Sequence, residues 1–258
     1  KKPKMTFFNI IVPFYNAEKW IQKCLRSIRL QDYSNYKVVV VNDCSTDSSV
    51  EVIQKEIKNL ENFHLITTPE NGGALNSVIS GVDYSNPNDE NVIAVLDGDD
   101  WFAKKNSLSI LNEAYTNNDC LMTYGSYVEY PIGVRGKFSK QLPEDIIKNK
   151  DFRQTEWMTS HMRTYKYKLW KHVKREDIVH QNGDVYRMAG DLPVMFPMLE
   201  MSEERSHFIE DIIYVYNRIN PLNEDKVNHG LQLSIESEVR AKPKYKRLEE
   251  EILLRGAK

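Results

Sequence analysis

The chain has 258 residues, of which 41% are hydrophobic and 28% charged, so it can fill a core and still present a soluble surface. That length suits one large α/β domain or two small ones, and the composition excludes a disordered or collagen-like polymer. Its 35 basic and 37 acidic residues leave a formal charge of −2, without the broad basic field that gives nucleic-acid binders their affinity, so no nucleic acid is expected as a partner.

The start, Lys1-Lys2-Pro3-Lys4, is basic, but the run after it is interrupted by Pro13 and Asn16, unlike a signal peptide. Phe7 to Val12 is a short apolar run closed by Pro13 and reads as a buried strand. Trp20, Ile21, Cys24, Leu25 and Ile28 then recur at helical spacing. Lys37 to Val41 predicts a second strand, and its continuous valines suit a parallel sheet covered on both faces. Ser48-x-x-Glu51 matches a capping box opening a helix with Val50, Ile53, Ile57 and Leu60 on one face. Phe63 to Thr67 is a third strand, and Asn71-Gly72-Gly73 opens a helix carrying Ala74, Leu75 and Val78. Val92 to Leu96 is a fourth strand, followed by a helix through Leu108, Leu111 and Tyr115, and Cys120 to Gly125 is a fifth strand.

This alternation predicts an α/β fold, a mostly parallel sheet with helices on both faces. It fades after Gly125, beyond which the chain reads as more helical, with a strand at Ile212 to Tyr216. The organisation expected is a first half over 1–125, a second half over 126–222, and a polar tail over 223–258 ending in a capping or partner-binding helix. Cys24, Cys44 and Cys120 are odd in number and lack metal-ligand spacing, which points to a reducing, cytoplasmic compartment. No apolar run approaches the roughly 20 residues of a membrane helix. Lacking an initial Met, the chain reads as trimmed or as one domain of a larger protein.

Ligands of open α/β sheets bind outside the carboxyl ends of the strands. Three strands here deliver polar residues to that edge: Pro13-Phe14-Tyr15-Asn16, Asn42-Asp43-Cys44-Ser45-Thr46-Asp47 and Asp97-Gly98-Asp99-Asp100-Trp101. Carboxylates this close repel one another unless a cation, donors or water compensate, and oxygen-rich sites suit Mg²⁺ or Mn²⁺. Gly98 lets the backbone approach a ligand closely or take φ > 0, and the competing reading of the stretch is an acidic turn capping the next helix. Asp43 is the ligand group of its loop and Asp47 the helix cap, while Asn71, Gly72 and Gly73 offer backbone N–H groups to anionic or ribose oxygens. No Gly-x-Gly-x-x-Gly or Walker-type Gly-Lys-Ser is present.

Ile10 to Asn16, Val41 to Asp47, Glu70 to Gly73 and Leu96 to Asp100 together resemble the family-2 glycosyltransferases of GT-A fold, in order, spacing and strand placement over about the first 125 residues. The resemblance implies a nucleotide-diphospho-sugar donor, with a UDP-sugar the commonest, together with Mn²⁺ or Mg²⁺, an inverting transfer and a hydroxyl of a glycan or other acceptor. It would make residues 1–125 the nucleotide-sugar-binding half and 126–222 the acceptor-binding and catalytic half. On that basis Pro13, Phe14 and Tyr15 would line the nucleotide and Asp43 would contact the base, with Asn71, Gly72 and Gly98 beside it. Asp97 would face the ribose or metal and Asp99 would be the main metal carboxylate. The chain departs from the family pattern in having Asn42-Asp43 in place of paired Asp, and it lacks the Gln-x-x-Arg-Trp motif and membrane helices of processive members, favouring single additions.

Family members carry a catalytic carboxylate in a Glu-Asp pair opening a helix. Gly190-Asp191-Leu192-Pro193 is the best match, without the Glu, and makes Asp191 the general base, or an N-cap, or both. Asp184 and Asp177 are weaker candidates. His161 and Arg163 would meet the diphosphate, or His161 would complete the metal shell, against its reading as a core histidine; His207 and His229 have weaker cases. Trp101 would stack on the acceptor sugar or pack beneath the next helix. The alternatives are an inactive sugar-nucleotide-binding scaffold, for which the missing Glu is the hint, and a nucleotidyltransferase, whose Gly-rich basic loop after strand one is absent.

Overall fold

The computed structural model describes residues 4–255, so the basic start at Lys1 to Pro3 lies outside the described residues. The first half alternates β1 (Phe8–Phe14), α1 (Ile21–Arg29), β2 (Tyr36–Asn42), α2 (Ser49–Ile57), β3 (Phe63–Thr67), α3 (Ala74–Ser85) and β4 (Val92–Val95). It continues through β5 (Trp101–Phe102), α4 (Ser107–Asn117) and β6 (Met122–Tyr124). The second half holds β7 (Tyr127–Tyr130), β8 (Val134–Arg135), α5 (Glu144–Asn149), β9 (Thr164–Lys166) and α6 (Tyr167–Trp170). It ends with α7 (Leu192–Ser202), β10 (Ser206–Phe208), β11 (Tyr214–Asn217), α8 (Glu224–Val227), α9 (His229–Arg240) and α10 (Glu250–Leu254).

Seven strands form the main sheet in the order β10-β6-β9-β4-β1-β2-β3. The parallel register of β1 on β2 and β4 comes from their continuous apolar runs, which bury side chains on both faces. Ile11, Val39, Val41, Ile93 and Val95 point to a core shared with α3 and α7, while Ile10, Val12, Val38, Val40 and Ala94 point to one shared with α1 and α4. Gly81 lets α3 settle on the first face: a Cβ there would lie 2.6 Å from Ile11 Cγ2 and 2.9 Å from Val41 Cγ2.

Where the second half departs from the expected division, long-range pairing is the cause. β9 inserts antiparallel between β4 and β6, and β10 adds parallel to β6, so the main sheet takes strands from beyond residue 125. A second sheet, β5-β11-β7-β8, was not anticipated. β5 follows the acidic turn directly, so Asp97 to Asp100 sits where the chain leaves one sheet for the other.

Four local readings are corrected. The fifth strand is shorter than Cys120 to Gly125, and the late strand begins at Tyr214 rather than Ile212. No capping box forms at Ser48; Asp47 Oδ1 instead accepts from the Ser49 N–H at 3.0 Å, while the Ser48 N–H donates to Glu18. Residues 223–255 are no solvated tail: Ile235, Val239, Leu248 and Leu253 are buried in the core that holds α7, and the Leu248 N–H donates to the Met201 carbonyl. Leu253 makes α10 a cap on that core.

Candidate functional site

One open cavity of about 1380 Å³ lies at the carboxyl ends of β1, β2 and β4 and is roofed by the second half. Pro13, Phe14, Tyr15, Asp43, Asn71, Asp97, Gly98 and Asp99 line it from the sheet; His161, Arg163 and Asp191 line it from beyond residue 125. Most residues singled out from sequence therefore share one space, because parallel strands end together and β9 carries His161 and Arg163 in beside β4.

The loops after β2 and β3 hold one another. Asp43 is buried, and its carboxylate accepts from the Gly72 N–H at 2.8 Å and the Gly73 N–H at 3.0 Å. The amides expected to seat a ligand's oxygens are thus engaged by Asp43, and Gly72 is not among the lining residues. Gly98 has a packing role as well, since a Cβ there would come within 2.6 Å of Phe14 Cβ, and its N–H donates to the Pro13 carbonyl.

Within the acidic turn the carboxylates divide their work. Asp100 is fully buried outside the cavity lining and accepts from the Tyr214 hydroxyl and the Asn217 N–H, pinning the turn to β11. Burial, then the charges of Asp99 and Asp97, hold its carboxyl well above the usual range. Asp99 faces the cavity and accepts from Asn220 Nδ2 at 2.8 Å. Burial pushes Asp97 up to about 6, with Arg163 pulling down and Asp99 and Asp191 pushing up.

Beside this turn His161 stacks on Tyr214, ring centroids 4.4 Å apart, and its Nδ1 is buried without a hydrogen-bond partner. Burial and the nearby Arg163 hold its pKa well below the usual value, so the imidazole is neutral and free to donate a lone pair. Ligand atoms of Asp97, Asp100 and His161 lie within 4.8 Å of one another. The cluster keeps Asp97 and His161 from the expected metal set but brings Asp100, rather than Asp99, into the tightest grouping. The orphaned imidazole nitrogen and crowded carboxylates fit a hard divalent cation.

Across the cavity Asp191 opens α7 without capping it; its Oδ2 accepts from Arg163 Nη1 at 3.0 Å instead. That pairing corrects the N-cap reading and gives Arg163, which also lines the cavity, a partner in Asp191. Trp101 does not line the cavity: it is buried in β5 beneath Lys23, whose ammonium lies 4.0 Å from its ring centre. Asp184, Asp177 and His207 are also away from the lining, and Asp177 accepts from the Tyr245 hydroxyl. His229 does line it. Sequence reading missed Tyr214, Arg187 and Glu224. Arg187 donates twice to Asn71 at 2.6 Å, tying the Asp191 segment to the loop before α3. Glu224 lies in the stretch read as a polar tail, where only a contact across 35 residues marks it.

Residues 9–174 match the family model Glycosyl transferase family 2. The chain belongs to glycosyltransferase family 2. GlyA, a glycosyltransferase of Streptococcus pneumoniae, is 40% identical over 92 residues, covering 36% of this chain and 13% of that one. EpsJ, an uncharacterized glycosyltransferase of Bacillus subtilis, is 24% identical over 217 residues, 83% of this chain and 61% of that one. The chain therefore spans less than two thirds of either relative. Staphylococcus aureus TarS 1-349 in complex with UDP-GlcNAc superposes with a TM-score of 0.67 at 20% identity, over 98% of this chain and 72% of that one. PcManGT of Pyrobaculum calidifontis, a mannosyltransferase in complex with GDP-Man and Mn²⁺, gives 0.61 at 15% identity, over 94% and 66%. The family-2 domain here has the GT-A fold of such neighbours.

Proposed function

We propose that the chain is the donor-binding and catalytic part of a metal-dependent, inverting, single-addition glycosyltransferase moving one sugar from a UDP-sugar to a hydroxyl of a glycan or other acceptor. The observation that carries this reading is the shared cavity, with Asp97, Asp99 and His161 on one wall and Asp191 on another. Two neighbours bound to nucleotide sugars, one of them with Mn²⁺, support it.

Tyr15 and Phe14 form the apolar wall against which a nucleotide base would lie, with the Asp43 loop at its edge. Asp97 and His161 would hold Mn²⁺ or Mg²⁺ together with Asp99, which faces the cavity, because Asp100, though it clusters with the first two, is outside the lining and engaged by Tyr214 and the Asn217 N–H. When bound, such an ion neutralises charge on a departing diphosphate. Asp191, oriented by Arg163, takes the proton of the acceptor hydroxyl as that oxygen attacks the anomeric carbon from the face opposite the leaving group. One displacement inverts the anomeric configuration. Tyr214 keeps His161 and Asp100 in place by stacking and hydrogen bonding.

A thermal-shift panel of nucleotide sugars with and without Mn²⁺ tests the donor assignment, because a ligand of the native state alone raises apparent stability, by about 2.7 kcal/mol at a hundred times Kd. Stabilisation by UDP-sugars that needs Mn²⁺ is the expected result. Asp191→Asn should keep that shift and lose sugar release. A parent chain that binds donor yet releases no sugar with any acceptor or water would be a scaffold instead.

A further inference from the structure

The family pattern sets a Glu directly before the base, and this chain has Gly190 there. Packing leaves no room for a side chain at this position: a Cβ on Gly190 would lie 2.8 Å from Leu75 Cβ, at the first turn of α3. No larger side chain enters without moving the helix that carries the donor loop. Yet a carboxylate does reach this segment from elsewhere. Glu224, at the start of α8, accepts from the Ala189 N–H at 2.9 Å through Oε2 and lines the same cavity as Asp191. Ala189 has φ +50°, a left-handed conformation that is unfavourable for alanine and persists where surroundings impose it. On its other side the segment is tied by Arg187 to Asn71.

We propose that Glu224 is a positioning residue for Asp191, supplying from α8 the carboxylate missing from the chain's Gly-Asp pair and holding the Ala189-Gly190-Asp191 turn against the cavity wall. It rests on the reading of Asp191 as the base. The charged groups around Glu224 are Asp191, Asp97 and Arg163, so its carboxylate acts within the same electrostatic cluster as the base. A misplaced base of this kind lowers turnover while leaving donor binding nearly intact.

The test combines hydrogen exchange over residues 185–192 with hydrolysis of UDP-GlcNAc in Mn²⁺, for Glu224→Ala, Glu224→Gln, Asp191→Asn and the Asp191→Asn/Glu224→Ala double variant. Glu224→Ala should speed exchange at the Ala189 amide by about tenfold or more. It should lower kcat by about 10- to 100-fold with KM changed less than about threefold. Glu224→Gln, whose amide oxygen can accept the same N–H, should restore exchange protection and most of kcat. The double variant should be no slower than Asp191→Asn alone. Unchanged exchange in Glu224→Ala overturns the proposal whatever the donor, as does a Gln variant as impaired as Ala, or additive losses in the double variant. Full hydrolysis by Asp191→Asn would instead remove the base assignment, while faster exchange in Glu224→Ala would still establish the contact.

Discussion

At the scale of single residues the cavity is a cluster of acids kept together by burial and a few donors. Tyr214 shows how closely it is balanced. Its hydroxyl donates to Asp100 and receives the Asp97 N–H, while its ring carries His161. Tyr214→Phe keeps the stacking and removes a partner from a buried carboxyl, so chemical denaturation should show a loss of about 1–3 kcal/mol and Mn²⁺ should bind more weakly. Proton linkage gives a second prediction. Burial, the Asp191 and Asp97 charges adding to it, pushes Glu224 up to about 7, and Asp97 stands at about 6. The folded chain thus binds these protons more tightly than the unfolded one, so their contribution to stability falls as pH rises through the window between the ordinary carboxyl values and about 7. The buried His161, held below its usual value, pulls the other way over the same range, so the readout is a difference: metal-free Glu224→Gln should lose less stability between about pH 5 and about pH 7 than the parent. A melting curve insensitive to that substitution would contradict the assignment. Glu90, held down to about 2 by Lys168 and Lys166 against the upward push of burial, stays clear of this window.

Elements are legible in proportion to how locally their stability is written. β1, β2 and β4 are continuous apolar runs and α1 is strongly periodic, so each stands out in the sequence. β9 is three residues, Thr164 to Lys166, and becomes a strand only because β4 and β6 offer unpaired edges on both sides. α7 defeats periodicity differently: every residue from Leu192 to Ser202 is buried, so no polar face marks it as amphipathic, and Pro197 lies inside it. The close seat of α3 on the sheet is a prediction at this scale. Gly81→Val should cost about 1–3 kcal/mol through overpacking against Ile11 and Val41, measured by urea unfolding, with the cavity residues unchanged.

For the whole molecule, the second half is fastened by one buried ionic knot. Arg153 donates to both oxygens of Glu200 on α7, at 2.7 and 2.9 Å, and to the Val239 carbonyl on α9 at 2.8 Å. Removing one partner strands a buried charge, so Arg153→Met should destabilise by about 3–5 kcal/mol, and adding Glu200→Leu should recover much of that in a thermal melt. The knot draws the C-terminal stretch onto the core and sets α8 beside the Asp191 turn, which is how Glu224 comes to a site far from it in sequence.

The sequence by itself determined the parallel sheet, the acidic turn at its carboxyl edge and the polar loops beside it, since strand hydrophobicity, turn glycines and motif spacing are local properties. Tertiary structure alone decided which carboxylate each group serves. Asp43 is drawn to the Gly72 and Gly73 amides, Asp100 to Tyr214, Asp191 to Arg163, and Trp101 out of the cavity. Those pairings join segments tens of residues apart, and the strength of a buried charge depends on what the fold brings within a few ångströms of it, not on its neighbours along the chain.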